Sequence, residues 1–388
     1  MDHIIELLSR ELDRPVQHVE NIVTLLDEGN TVPFIARYRK ELHGAMDDQL
    51  IRQLADRLQY LRNLQARRDE VKQSIENQGK LTDELSAAID AASTLAEVED
   101  LYRPYKQKRR TRATMAREKG LEPLAELAFA IGPAVDLEAA AQDYIGPEKG
   151  VETAEDALQG ASDIVAEWIS DDADVRKLLR ELYWRRAVIV SKAAAKEPED
   201  SVYRLYYEFS SPVSKTQGHQ ILAMNRGERE EILKVDVEMD RETALVALRR
   251  RAVPGRAAME FVRAAAEDAY DRLIAPSLER ELRGELTDRA SEGAIGQFAL
   301  NLKPLLMQPP VKGFVTMGLD PGYRMGCKVA VVDPTGKVLD TTVVYPTHGE
   351  RGKNEAIDRL AVLIKKHKVA HIAIGNGTAS RETEQMAV

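Results

Sequence analysis

Cysteine is nearly absent. The chain has 388 residues and a single cysteine, Cys327. No intramolecular disulfide, zinc ribbon or iron–sulfur cluster can be assembled from it, and a reducing compartment is permitted. Long apolar runs are also missing. None approaches the roughly 20 residues that span a bilayer. The opening Met-Asp-His-Ile-Ile-Glu-Leu-Leu has acids inside its apolar stretch and no small-residue cleavage site, so no signal peptide is expected. The expectation is a cytoplasmic protein without membrane contact. A Gly-x-x-x-x-Gly-Lys-Ser/Thr loop is lacking, since Gly318, Gly322 and Gly326 have the wrong spacing. ATP or GTP use is therefore not expected, and no small-molecule substrate is evident. Positive charge is in deficit: 55 Lys and Arg face 64 Asp and Glu, a net charge of -9. That excludes a globally basic nucleic-acid binder but leaves room for a local basic face.

What is present is mostly helical periodicity. At roughly 150 residues per domain the length suggests two or three domains. Ile4, Leu7, Leu8 and Leu12 recur at helical spacing until Arg14-Pro15 ends the pattern. A second helix carries Val16, Val19, Ile22, Val23 and Leu26, and Gly29-Asn30 closes it. Thr31 to Lys40 reads as a loop. Asp47 or Asp48 can cap a long helix to about Gly79, with Ile51, Leu54, Leu58, Leu61, Val71 and Ile75 as its seam. Thr82 to Val98 reads as one returning helix. Helices continue to about Leu306, interrupted by the charged linker Lys196–Asp200 and by one alternating strand, Ile232–Met239. Gln308-Pro-Pro-Val-Lys-Gly313 marks a second boundary.

Beyond Gly313 the period changes. Phe314–Asp320, Cys327–Asp333 and Val338–Tyr345 read as three strands joined by short turns, hence an antiparallel meander. A helix over about 350–367 leads to a fourth, fully buried strand, Val369–Ile374. A crossover connection makes that strand parallel to a neighbour. Cys327 falls in a buried strand and is expected to be an inert thiol.

One segment departs from the acidic background. Tyr102 to Lys119 carries eight cations and one acid. Arg103, Lys106, Lys108, Arg109, Arg110, Arg112 and Arg117 are the candidate nucleic-acid-binding residues. Lys and Arg neutralise phosphates without regard to sequence, and Tyr102 and Tyr105 are placed to stack on bases. The competing reading is structural: arginines that lock helical segments together through the chain's surplus acids. Arg37, Arg39 and Lys40 lie near a further candidate surface among the first helices.

The meander, crossover helix and parallel strand resemble the opening of an RNase H-like domain. Asp320-Pro321-Gly322, closing the first strand, is similar to the Asp-Pro-Gly of Holliday-junction resolvases and of the YqgF-like branch of that fold. Asn30–Glu41, Tyr102–Thr114, Ala116–Leu124 and Gly375–Glu384 resemble the bacterial Tex family of transcription accessory proteins, and the resemblance covers the whole chain. It implies a mainly α N-terminal multi-helix region with a helix-turn-helix, followed by an α/β RNase H-like (YqgF-type) domain, with helix-hairpin-helix and OB-fold RNA-binding parts beyond it. On this reading the chain stops inside the RNase H-like domain and is a fragment. The implied organisation is 1–200 as an N-terminal helical domain with the helix-turn-helix, 201–310 as a helical connecting domain, and 314–388 as the start of the YqgF-like domain. RNA or DNA and the transcription machinery are the implied partners.

An active RNase H-like nuclease converges several carboxylates on two Mg²⁺ ions. Asp320 supplies the first. The fourth strand ends Ile374-Gly375-Asn376-Gly377, with no carboxylate where the resolvases place one, and Glu382 and Glu384 lie a turn or two further on. The expectation is a non-catalytic domain without cofactor, Asp320 serving as a turn residue or a residual metal ligand. A Mg²⁺-dependent resolvase-type nuclease is the alternative. A protein-interaction scaffold that binds no nucleic acid is the third reading.

Overall fold

Short polar side chains set where the helices begin. The computed structural model describes residues 2–107, 109–194, 201–309 and 311–388. Helices α1 (Asp2–Leu12) and α2 (Val16–Asp27) are separated at Arg14-Pro15, as the pattern indicates. Gly29, at φ +84°, then turns the chain in the left-handed region that side chains disfavour. The stretch read as a loop is helical instead: α3 spans Val32–Tyr38. Its Pro33 sits in the first turn, where the missing N–H has no intrahelical partner to lose. Asp47 accepts the Leu50 N–H at 2.8 Å and caps α4 (Asp48–Glu76). The seam of α4 is buried throughout. Ile51, Leu54, Leu58 and Leu61 share a core with Leu8, Val19, Ile22 and Ile35, and Val71 and Ile75 share another with Ile89 and Val98.

The single returning helix expected over 82–98 is two, α5 (Asp83–Ala91) and α6 (Leu95–Tyr102). Thr82 and Thr94 each cap one of them, and Glu97 accepts the Ser93 N–H at 2.7 Å. These local bonds compete with helix propagation and stop it between the two. A 3₁₀ turn, Arg103–Tyr105, leads to α7 (Arg112–Glu118), capped by Thr111. Then come α8 (Glu122–Phe129), α9 (Leu137–Ala141), α10 (Ala154–Asp171) and α11 (Ala173–Arg186). Helix α10 buries Ala157, Ala161, Ile164, Val165 and Ile169. A Cβ at its Gly160 would lie 2.3 Å from the Leu121 side chain, so only glycine admits that approach.

Next follow β1 (Val188–Ala193), β2 (Glu208–Pro212), α12 (Gly218–Arg229) and β3 (Leu233–Glu238). The strands form an antiparallel sheet in the order β2-β1-β3. Only β3 is evident from alternation. Strands β1 and β2 correct the helical reading of their surroundings: β1 follows an arginine-rich helix without a turn signal, and its pairing is non-local. Helices α13 (Arg241–Ala252) and α14 (Met259–Asp268), a π-helical turn at Ala269–Ile274 and α15 (Ala275–Leu306) complete this part. One buried cluster gathers residues from Ala113 to Ala290 and so draws on both sides of residues 196–200. The linker expected at 196–200 lies outside the described residues, and the division into compact units falls between Ile295 and Gly296.

In the second unit, β4 (Thr316–Asp320), β5 (Cys327–Val332) and β6 (Val338–Val344) form the expected meander. Helix α16 (Gly349–His367) crosses over to β7 (His371–Ile374), which pairs parallel to β4 in the order β6-β5-β4-β7. Met317, Leu319, Cys327, Val329 and Val331 form a core with Ala356, Leu360 and Leu363 of α16 and Met386 of α17 (Ser380–Ala387). The fourth strand is not buried as expected. It is the sheet edge, with His371, Ile372 and Ala373 exposed. Burial pushes the Cys327 thiol up, in keeping with an inert role. No helix among the described residues is long and apolar enough to cross a membrane.

Candidate nucleic-acid interface

The basic segment divides into ties and free ends. Arg103 Nε lies 3.3 Å from Asp171 Oδ1. Arg117 donates to Glu167 Oε1 at 2.7 Å and to Glu122 Oε1 at 3.1 Å. Asp171 and Glu167 are buried on α10, and burial opposes the Arg117 charge, but its two carboxylate partners more than restore it. These two arginines take the structural role that the surplus of acids suggested. Tyr102 is also engaged: its hydroxyl meets Ser74 Oγ at 2.9 Å, and the Arg67 guanidinium lies 5.4 Å from its ring centre.

Lys106, Arg109, Arg110 and Arg112 are exposed. Lys106 Nζ is 3.9 Å from Glu99. Arg110 meets Glu118 at 2.7 Å with both side chains more than half exposed, a pair worth about 0–1 kcal/mol and weakened further by salt. Arg109 and Arg112 have no carboxylate within ion-pair distance among the described residues. Lys108 lies outside the described residues. Arg37 and Lys40 are exposed as well, whereas Arg39 sits over the Phe34 ring at 5.4 Å.

Two cavities have Lys106, Glu167 and Asp171 in common. One, of about 630 Å³, is lined also by Lys80, Tyr105 and Arg117. The other, of about 430 Å³, is lined also by Arg103, Arg272, Ser277 and Arg280. Sequence reading missed Arg272, Ser277 and Arg280, which lie some 160 residues from the basic segment. Arg272 and Arg280, two helical turns apart, carried the sole signal, and Ser277 carried none. A buried ionic network lies close by. Arg176 Nε donates to Asp100 Oδ1 at 2.9 Å, Arg180 Nη2 donates to Asp100 Oδ2 at 2.7 Å, and Arg176 Nη2 donates to Ser277 Oγ at 3.1 Å. Arg180 also bonds Glu281. Burial first, then the Arg103 charge, pulls Arg176 below the usual guanidinium range.

Asp320 has a lysine for its neighbour. Its side chain is 76% exposed, with Lys328 Nζ at 3.8 Å. Gly375 at the end of β7 lies beside it: a Cβ there would be 3.8 Å from Asp320 Oδ1. Glu382 accepts the Tyr323 hydroxyl at 2.7 Å, and that bond holds it below the usual carboxylate range. Among the described residues no group of three or more His, Cys, Asp or Glu is placed to hold a metal ion. His367 pairs with Asp340 at 3.1 Å, and His371 packs edge-on against Phe314, so the two histidines have separate partners.

Comparison with known proteins gives three matches in chain order. Residues 2–76 match the Tex-like protein N-terminal domain, 132–298 the Tex central region and 314–388 the Tex protein YqgF-like domain. An uncharacterized protein of Bacillus subtilis, YdcI, is 46% identical over 385 residues, covering 98% of this chain and 54% of its own. The transcriptional accessory protein Tex of Neisseria gonorrhoeae is 43% identical over 396 residues, 99% of this chain and 51% of its own. The human S1 RNA-binding domain-containing protein 1 is 34% identical over 398 residues, 98% of this chain and 39% of its own. The chain thus spans about half the length, or less, of these relatives. With its helical N-terminal and central parts followed by a small mixed sheet, the chain belongs to the Tex family.

Proposed function

We propose that this chain is a cytoplasmic transcription accessory factor that holds RNA or DNA without cutting it and acts as a scaffold with the transcription machinery. The observation that carries the reading is the exposed group Lys106, Arg109, Arg110 and Arg112, which among the described residues forms no ion pair with a buried acid while its neighbours Arg103 and Arg117 are tied down. Cations held this way release counterions on meeting phosphates, so affinity falls with salt. The name of a gonococcal relative, transcriptional accessory protein, supports the transcription role, and that of a human relative, an S1 RNA-binding domain-containing protein, supports the nucleic-acid role. The first three helices, with Arg37 and Lys40 exposed, are the candidate helix-turn-helix.

Absence of catalysis and of a cofactor is part of the proposal. Metal-assisted hydrolysis needs converging oxygen ligands, whereas Asp320 faces a lysine and Glu382 is held by a tyrosine. Filter binding of RNA and DNA at several salt concentrations, with and without Mg²⁺, tests both halves. Retention that weakens with salt and leaves the strand intact is the expected result. Mg²⁺-dependent cleavage abolished by Asp320→Asn would replace this reading with the nuclease one.

A further inference from the structure

We propose that the 430 Å³ cavity lined by Arg103, Lys106, Arg272, Ser277 and Arg280 seats a phosphate of a single-stranded polynucleotide that also runs over the exposed Arg109, Arg110 and Arg112. This rests on the nucleic-acid reading above and names where the strand is gripped.

Charge is the first argument. Four cations and two acids line the cavity, and the acids are already engaged. Asp171 faces Arg103, and Glu167 accepts from Arg117 and Thr111. Lys106 has only Glu99, at 3.9 Å, and Arg280 has no carboxylate within ion-pair distance among the described residues. Both are exposed and available to an anion. Hydroxyl chemistry is the second argument. Ser277 Oγ accepts from Arg176 Nη2, so its own proton is left to donate. Ser170, also in the lining, is a further donor. Phosphate oxygens are contacted by this mixture of arginine, lysine and hydroxyl groups.

The third argument is how the wall is built. The π-helical turn Ala269–Ile274 adds a residue to the helical path, and such turns recur at functional sites. It places Arg272, Pro276 and Arg280 four residues apart, on one face lining the cavity. The volume lies within the range of ligand sites, about 300–1,000 Å³. Lys106 belongs to both the cavity and the exposed group of cations, so it joins the two.

The test uses the 388-residue chain and a labelled 15-nucleotide oligouridylate, with Kd measured across a salt series. Arg280→Ala is expected to weaken binding about three- to tenfold and to lower the slope of log K against log salt by about 0.7, the value of one single-strand phosphate contact. Arg280→Lys is expected to keep that slope. Unchanged thermal unfolding of Arg280→Ala shows that the fold is intact. If Arg109→Ala, Arg110→Ala and Arg112→Ala combined weaken binding while Arg280→Ala and Ser277→Ala do not, the cavity assignment fails and the nucleic-acid reading stands. If no variant weakens binding, or the parent does not bind, both fail. Inorganic phosphate is the second probe. Phosphate bound as tightly as the oligonucleotide and lost in Arg280→Ala overturns the polynucleotide assignment in favour of a free anion.

Discussion

Arginine serves opposite ends in two neighbouring regions. Around Asp100 it is buried and paired: Arg176 is 1% exposed and Arg180 16%, both reaching the same carboxylate. A few residues further along the chain, at Arg109, Arg110 and Arg112, it is exposed and either weakly paired or, among the described residues, without a carboxylate within ion-pair distance. Composition does not separate the two. What separates them is where the acids arrive from. Asp171 and Glu167 come from α10 and Glu281 from α15, and they reach Arg103, Arg117 and Arg180 but stop short of Arg109 and Arg112. A buried charge is held by its partner; an exposed one is left for a ligand.

The contrast is broken most severely at Asp100. Asp100→Asn removes the nearest carboxylate of buried Arg176, leaving it Glu281 at 3.6 Å, and takes one of two carboxylates from Arg180; removal of one partner of a buried pair typically costs about 3–5 kcal/mol. Chemical denaturation should show that loss, and a loss under about 1 kcal/mol would mean that the network does not hold α6 in place. Next comes Arg109→Ala, Arg110→Ala and Arg112→Ala combined. Stability should stay within about 0.5 kcal/mol per site, while oligonucleotide affinity at low salt falls at least tenfold. Unfolding and binding measured on one preparation distinguish the two effects.

A smaller effect is set by pH. Glu97 is partly buried, which by itself favours the protonated form, but Lys177 at 3.0 Å and the Ser93 N–H and hydroxyl hold it at about 2. A carboxylate depressed in the folded state contributes stability above its unfolded pKa, near 4.5, and loses it as pH falls toward 2. Unfolding midpoints for Glu97→Gln should therefore fall less steeply between those limits than those of the parent. Parallel curves would show that Glu97 does not carry the acid limb. The smallest change is Glu118→Ala, which removes a solvated partner of Arg110. A stability change under about 1 kcal/mol is expected, with unchanged or slightly tighter oligonucleotide binding.

Local patterns were legible where their cause was local. Asp47 as a cap, the α4 seam and the meander after Gly313 follow from side chains a few residues apart. Helix α3 was hidden because Pro33 looks like a breaker, although it occupies the one turn that accommodates proline. The break between α5 and α6 depends on Ser93 and Thr94 bonding with Glu97. Strand β1 exists through partners some twenty and fifty residues away. For the site, the basic segment was visible but its division was not, because Asp171 and Glu167 join it only in three dimensions. Arg272 and Arg280 had no local mark at all beyond their helical spacing.

The central claim is that the exposed Lys106, Arg109, Arg110 and Arg112 hold a nucleic-acid strand. It is tested most directly by the slope of log K against log salt for one oligonucleotide, parent beside the Arg109, Arg110 and Arg112 triple alanine variant. Loss of three single-strand phosphate contacts predicts a slope shallower by about 2. Two superimposable lines would contradict it.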